Sequence, residues 1–207
     1  MTKVYLTRHG KTLWNLEKRL QGFGNSELTN EGIEQAYELR KRLSDIDIDV
    51  IYTSPIKRAY ETARIIKGDK NIKFVIDDRL KEINFGDYEG STEAELLKQG
   101  RGQEISKIFS GEMDISAPGG ETLRELSYRV SKLLDEILLI EDNKSILIVT
   151  HGTTLKAIVG YFRNSKELYN EIMGQCTLTK INCSGKNFEF EYINDGCHLN
   201  NKEKFGW

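Results

Sequence analysis

The sequence predicts an α/β fold, specifically a three-layer α/β/α sandwich with a mostly parallel central sheet and helices on both faces. Three observations carry that expectation. β-rich apolar runs alternate with segments of helical period along most of the chain, the mark of repeated strand-then-helix units. The run Ser145-Ile146-Leu147-Ile148-Val149-Thr150 is almost continuously apolar, as a strand covered on both faces must be. With 207 residues, 38% of them hydrophobic and 30% charged, the chain is sized for one core rather than two, so residues 1–207 are expected to form a single domain.

The elements follow in order. Val4 to Thr7 is a short strand that ends at Arg8-His9-Gly10. A helix runs from Thr29, an N-cap residue, to Leu43, with Ala36, Leu39 and Leu43 spaced to share one face. Val50 to Thr53 is the next strand. Ser54-Pro55 reads as an N-cap followed by proline at the first helical position, where its missing N–H costs nothing, and the helix continues through Ala59, Ala63 and Ile66 towards Gly68. Lys73 to Ile76 is a third strand, and Thr92-Glu93-Ala94-Glu95 offers a capping box. After a Pro118-Gly119-Gly120 loop, a long helix spans Thr122 to about Ile140. Leu123, Leu126, Val130, Leu133 and Ile137 lie along one of its faces, and Glu125 completes a second capping box. The strand at Ser145 to Thr150 ends in His151-Gly152. The tail adds a short helix near Lys166 to Ile172 and alternating strands at Thr177 to Asn182 and Phe188 to Ile193.

Composition excludes several classes. Only 2 prolines and a mean hydropathy of −0.51 fit a globular protein, and no window approaches the roughly 20 apolar residues of a membrane span. Met1-Thr2-Lys3 leads straight into a strand without a signal-peptide pattern, so a cytoplasmic location is expected. Cys176, Cys183 and Cys197 are odd in number and form no C-x-x-C pair, which suits neither a disulfide framework nor a zinc site. A net charge of −2 gives no basic footprint for nucleic acid, so any anion site must be local.

In a parallel sheet, ligands bind beyond the carboxyl ends of the strands, and reactive residues gather there in this chain. Arg8 and His9 follow the first strand, Ser54-Pro55 and Arg58 the second, and His151 the Ser145 to Thr150 run. Two of the chain's 3 histidines thus hold equivalent strand-end positions, each followed by a glycine that permits close backbone approach to a ligand. A loop histidine capping a neighbouring helix is the plain alternative for either one alone; the pairing argues against it for both.

An ordered series of motifs adds to this: Leu6-Thr7-Arg8-His9-Gly10 with Thr12 and Asn15; Leu28-Thr29 with Gly32, Gln35 and Ala36; Ser54-Pro55 with Arg58, Thr62 and Ala63. Glu82, Gly86, Glu89-Gly90, Pro118, Gly120-Glu121-Thr122 and Thr150-His151-Gly152 continue it. On these residues the chain resembles the histidine phosphatase superfamily, the phosphoglycerate mutase-like family, over essentially its whole length. The resemblance implies a phosphoglycerate mutase-like sandwich and a metal-independent phosphatase of small phosphate monoesters, with no cofactor. It implies that His9 accepts the phosphoryl group, that Arg8, Arg58 and His151 bind its oxygens, and that Glu82 protonates the leaving oxygen. Asn15, Gln21, Gly22 and Gly152 are implied as substrate-side contacts.

Phosphoryl transfer spreads charge over three equatorial oxygens, which guanidinium forks and an imidazole donor stabilise without a metal. Clustered cations need a counter-anion, so inorganic phosphate or sulfate is expected in the pocket whenever available. The same cations should lower the pKa of His9 and keep its attacking nitrogen unprotonated. Glu82 must hold a proton as the leaving group departs, supplied by enclosure or by the arriving substrate.

Several lookalikes fail. Gly10-Lys11-Thr12 ends like a P-loop, but that motif needs glycine where Tyr5 stands. Asp47-Ile48-Asp49 leads into a strand rather than following one, so a helix-end or loop role is expected. His198 reads as a packed histidine bonded to backbone, and Trp14 and Phe23 as packing aromatics rather than pocket walls. Lys11 and Tyr88, where many relatives carry an acidic residue and tryptophan, are expected near the pocket mouth. The polar, glycine-containing segment 93–118 is expected to supply the lid that selects substrate. Two other functions stay open. Cofactor-dependent phosphoglycerate mutases of the family that this chain resembles carry an adjacent arginine pair between the acid and the second histidine, where only scattered Lys98, Arg101, Lys107, Arg124 and Arg129 stand here, which leaves a compact mutase as the alternative. A non-catalytic phospho-ligand binding protein would be expected to have lost His9 or Glu82.

Overall fold

A computed structural model describes residues 1–165 and 171–200. Their order is β1 (Thr2–Arg8), α1 (Leu13–Leu16), α2 (Asn30–Arg42), β2 (Val50–Thr53), α3 (Lys57–Lys67), β3 (Lys73–Ile76), α4 (Glu93–Lys98), α5 (Gly102–Ser110), α6 (Leu123–Ile140), β4 (Ser145–Thr150), α7 (Gly152–Phe162), β5 (Leu178–Ser184) and β6 (Asn187–Asp195). The six strands form one sheet in the order β3-β2-β4-β1-β5-β6. The four on the β3 side are mutually parallel, and β5 and β6 close the other edge as an antiparallel pair.

Strand periodicity divides the core into two layers. Val4, Leu6, Val50, Tyr52, Ile146 and Ile148 face one side, where α6 and α7 pack through Leu126, Leu133, Leu155 and Ile158. The alternate residues Tyr5, Ile51, Leu147 and Val149 face the other, against Ala36, Leu39, Ala63 and Ile66 of α2 and α3. Thr29, Thr92 and Thr122 each cap the following helix with the side-chain oxygen, as expected from the sequence.

One expectation needs correction, and one helix was not anticipated. Ser54 does not cap α3. It continues the β2 ladder by donating its N–H to the Val149 carbonyl, and its hydroxyl is engaged by His151, so the helix begins later, with Ile56 at the N-cap. Helix α7 carries no sequence signature. Thr154, Leu155, Ala157, Ile158, Val159, Gly160 and Phe162 are all buried, so the apolar stripe that betrays a surface helix is missing. The helix expected near Lys166 to Ile172 lies for the most part outside the described residues. No described helix is long and apolar enough to cross a membrane.

The order β2-β4-β1 sets the chemistry. These three neighbours are parallel, with Arg8 opposite Thr150 and Thr53 opposite Val149, so their carboxyl ends finish side by side at one edge.

Candidate active site

Backbone hydrogen bonds carry the register past the strand ends. The N–H of His9 donates to the Thr150 carbonyl at 2.9 Å, which sets the His9 and His151 rings edge to face with centroids 5.2 Å apart. Both rings are buried. Nδ1 of His9 lies 2.8 Å from the Gly10 carbonyl, and because a carbonyl can only accept, that nitrogen carries the ring proton. Nε2 is therefore the free lone pair, and it accepts from Nε of Arg58 at 3.2 Å. His151 Nε2 lies 2.8 Å from the Ser54 hydroxyl, while its Nδ1 is buried without a partner among the described residues.

Arg58, in the first turn of α3, is 1% exposed. Its terminal nitrogens donate to the carbonyls of Gly24 at 2.6 Å and Gly22 at 2.8 Å. Burial, with Arg8 adding to it and Glu82 and Glu89 opposing, pulls its pKa down to about 10. Arg8 donates to the Met173 carbonyl at 3.0 Å, but its buried Nε has no partner among the described residues. Burial lowers its pKa also, with Glu82 opposing. The His9 pKa falls well below the ordinary histidine value, through burial first and then Arg58 and Arg8, against a smaller opposing effect of the Gly10 carbonyl. The same burial and cations depress His151.

Glu82 is 8% exposed and does not pair with its sequence neighbours, since Lys81 bonds Asp78 and Arg79 bonds Asp77 and Glu136. Its carboxylate closes the amino end of α7. It accepts from the backbone N–H groups of Thr153 and Thr154 at 3.0 Å each, from the Thr154 hydroxyl at 3.1 Å and from its neighbour's N–H at Ile83. Backbone N–H groups at a helix start, reinforced by the helix dipole, favour an anion there.

Arg8, His9, Asn15, Gln21, Gly22, Arg58, Glu82 and Gly152 all line one cavity of about 350 Å³; His151 is not among the lining residues and lies buried behind the His9 ring. A larger groove of about 660 Å³ between α2 and α3 holds none of the catalytic or substrate-side residues expected from the sequence. Gly22 sits at φ 51°, and a Cβ there would strike the Glu89 carboxylate. Asn15 and Gln21 meet at Thr12. The Thr12 hydroxyl bonds Asn15 Oδ1 at 2.9 Å and accepts from Gln21 Nε2 at 2.9 Å, leaving Gln21 Oε1 as a buried acceptor without a described partner.

Other expected residues stand elsewhere. Lys11 pairs with Glu31, and Tyr88 is a core residue bonded to Glu104, so neither lines the cavity as had been expected. Asp49 serves as a loop residue, accepting from the Ser145 N–H at 2.7 Å. His198 bonds the Cys176 carbonyl at 2.9 Å, the packed role expected. Phe23 is largely exposed under Lys81, and Trp14 packs against Gly90. Among the described residues no group of three His, Cys, Asp or Glu side chains is placed to hold a metal ion.

Sequence reasoning missed three supports and one wall. Glu89 accepts from the N–H groups of Phe23 at 2.8 Å, Gly24 at 2.6 Å and Phe85 at 3.1 Å, and so fixes the loop whose carbonyls hold Arg58. Arg129, paired with Glu121 at 2.6 Å, donates to the carbonyls of Arg79, Lys81 and Glu82 and pins the turn that carries the carboxylate. Asn194, at φ 56°, bonds the N–H of Gly174 and the carbonyl of Ile172 and shapes the loop beside Arg8. The wall is apolar: Leu20, Phe85, Phe109, Ile172 and Met173. Glu89 and Glu121 stand in the motif series, which was the available signal.

Residues 4–196 match the model of the histidine phosphatase superfamily (branch 1). The chain belongs to that superfamily. Among solved histidine phosphatase folds it is similar to Bacillus stearothermophilus YhfR, with a TM-score of 0.90 and 33% identity over 96% of this chain and 100% of that one. It is also similar to a phosphoserine phosphatase from Entamoeba histolytica, solved with phosphoserine and with 3-phosphoglyceric acid, at a TM-score of 0.83 and 30% identity over 96% and 100% of the two chains. A protein of Erwinia tasmaniensis named probable phosphoglycerate mutase GpmB is 35% identical over 159 residues, which is 77% of this chain and 74% of that protein.

Proposed function

We propose that this histidine phosphatase hydrolyses small phosphate monoesters through a phosphohistidine on His9, without a metal. The observation that carries the reading is the His9 ring: its proton is held on Nδ1 by the Gly10 carbonyl, and its Nε2 lone pair faces Arg58 inside the cavity. With its pKa well below the ordinary value, the nucleophile is neutral at physiological pH.

On binding, phosphate oxygens take up the donors that lack a partner, Arg8 Nε and His151 Nδ1, the latter protonated when the Ser54 hydroxyl donates to Nε2. Arg58 Nε passes its hydrogen from the lone pair to a phosphate oxygen. Nε2 then bonds to phosphorus as the ester P–O bond breaks, and Glu82 gives the leaving oxygen a proton that arrived with the substrate. Water attacks the phosphohistidine from the vacated side, Glu82 takes its proton, and the P–N bond breaks to release phosphate. Asn15, Gln21, Gly22 and Gly152 face the departing group, and the segment 93–118 acts as a lid that places Phe109 in the apolar wall.

The relative solved with phosphoserine and 3-phosphoglyceric acid supports a small phosphorylated substrate. The relative named as a mutase favours phosphoglycerate mutase as a second reading. Against it, Arg124 pairs with Asp114, Arg129 with Glu121 and Arg101 with Glu104, and none of them lines the cavity. The test is p-nitrophenyl phosphate hydrolysis from pH 5 to 8 in EDTA, with His9→Ala as control, followed by product analysis from 3-phosphoglycerate. Activity in EDTA that is lost in His9→Ala, with phosphate released and no 2-phosphoglycerate formed, supports the phosphatase. Isomerised product without phosphate release replaces it with the mutase, and undiminished activity in His9→Ala overturns the nucleophile.

A further inference from the structure

We infer that Lys156 reads a carboxylate on the substrate, so that the pocket selects short phosphate monoesters carrying one carboxylate group. The inference rests on the phosphatase reading above and extends it to substrate class. Helix α7 starts at Gly152, and Gly152, Thr153 and Lys156 all line the cavity, as residues one helical turn apart on one face do. Lys156 therefore stands about one turn, roughly 5.4 Å along the axis, beyond the helix start that holds Glu82.

Every other cation of the cavity has protein partners. Arg58 is held by the carbonyls of Gly22 and Gly24, Arg8 by the Met173 carbonyl, and Arg19 by Glu17, Glu95 and the Gly90 carbonyl. Lys156, partly buried, forms no hydrogen bond or ion pair with a described residue. Burial lowers its pKa, with Glu82 opposing and Arg8 adding, which places it within the field of the phosphate site. A partly desolvated ammonium without a partner is unfavourable until an anion arrives. The phosphoryl end has its own donors in Arg8, Arg58 and His151, so the anion that meets Lys156 is a different group on the same molecule. One ammonium matches one negative charge, hence a carboxylate rather than a second phosphate dianion. The apolar wall of Leu20, Phe85, Phe109, Ile172 and Met173, in a cavity of about 350 Å³, leaves room for a few carbons between the two anions.

The test compares 3-phosphoglycerate with glycerol 3-phosphate, which differ only in a carboxylate against a hydroxymethyl group, by phosphate release from the full chain. The ratio of their kcat/KM values should favour the carboxylate in the unaltered protein. In Lys156→Gln that ratio should fall about 10- to 100-fold, the worth of a charge-assisted hydrogen bond, mainly through KM, while Lys156→Arg keeps most of it. Calorimetric binding of the same pair to His9→Ala reads the preference without turnover. A ratio near one in the unaltered protein, or one unchanged in Lys156→Gln, overturns the inference and leaves the phosphatase reading intact. No hydrolysis of p-nitrophenyl phosphate or of either ester overturns both.

Discussion

Lowering the pH from 7.5 to 5.5 should destabilise this protein through the two buried histidines of the candidate site. His9 and His151 are fully enclosed and share the field of Arg8 and Arg58, so both pKa values lie well below the ordinary 6.5. A depressed histidine pKa means that the unfolded chain binds protons that the fold refuses, and stability falls as pH drops below the unfolded value, down to the folded one. With the rings neutral in the fold, each contributes a loss of about 1.4 kcal/mol at pH 5.5 relative to pH 7.5, and the pair about 2.7 kcal/mol. Carboxylates with depressed values do not interfere, since their contribution is lost only below their unfolded range near pH 4. The assay is urea unfolding in phosphate-free buffer, where the midpoint should fall by about 1 M for a chain of this size. His9→Gln should remove about half of the shift and His9→Gln with His151→Asn most of it, the remainder reporting His198. A midpoint that is flat from pH 7.5 to 5.5, or that falls equally in the double variant, would refute the claim that these rings are held neutral.

Three other outcomes follow from the site. Glu89→Gln replaces one accepting oxygen with an NH₂ group facing backbone N–H donors, so the loop that holds Arg58 should loosen and kcat/KM on p-nitrophenyl phosphate should drop about tenfold or more, with the fold retained by circular dichroism. Inorganic phosphate at 100 times its Kd should stabilise the protein by about 2.7 kcal/mol in denaturant titrations, and Arg8→Ala, which removes an unpartnered donor, should abolish most of that gain. Glu82→Gln should slow alkyl phosphates far more than p-nitrophenyl phosphate, because p-nitrophenolate leaves without a proton; equal losses on both would remove Glu82 from the acid role.

What could be read from the sequence follows from what each residue depends on. Arg8, His9, Arg58 and His151 were legible because parallel strands bring their carboxyl ends to one edge whatever the details of packing. Strand β4 and helix α6 were legible from period alone. Helix α7 was not, since burial on nearly all sides erases the periodic signal, and with it went Lys156, whose place in the cavity depends on where that helix starts. Glu89 and Arg129 escaped for another reason. They act on backbone N–H and carbonyl groups of distant loops, and no side-chain pattern records where a backbone group will point. Ser54 misled because its hydroxyl does meet the entry to α3, accepting from the Ile56 N–H at 3.2 Å, yet also bonds His151, a contact that only the strand order reveals.

On the proposed reading, the amino end of α7 explains why phosphate would be held mainly by side chains. A helix that starts at the carboxyl edge of a parallel sheet normally presents its N–H groups to a phosphate. Here those of Thr153 and Thr154 are already taken by Glu82. The arrangement fixes a carboxylate beside an anion site and spreads part of its charge into the helix, which reduces its repulsion of an arriving phosphate. It also takes two of the helix's N–H donors away from the phosphate, a loss that cations make good. Arg8 and Arg58 supply them, and burial first, with the field of these arginines adding to it, keeps both histidines unprotonated. On the proposed reading, the carboxylate acid and the arginines that hold the phosphate are thus linked through one placement, that of the Glu82 carboxylate against the first turn of α7.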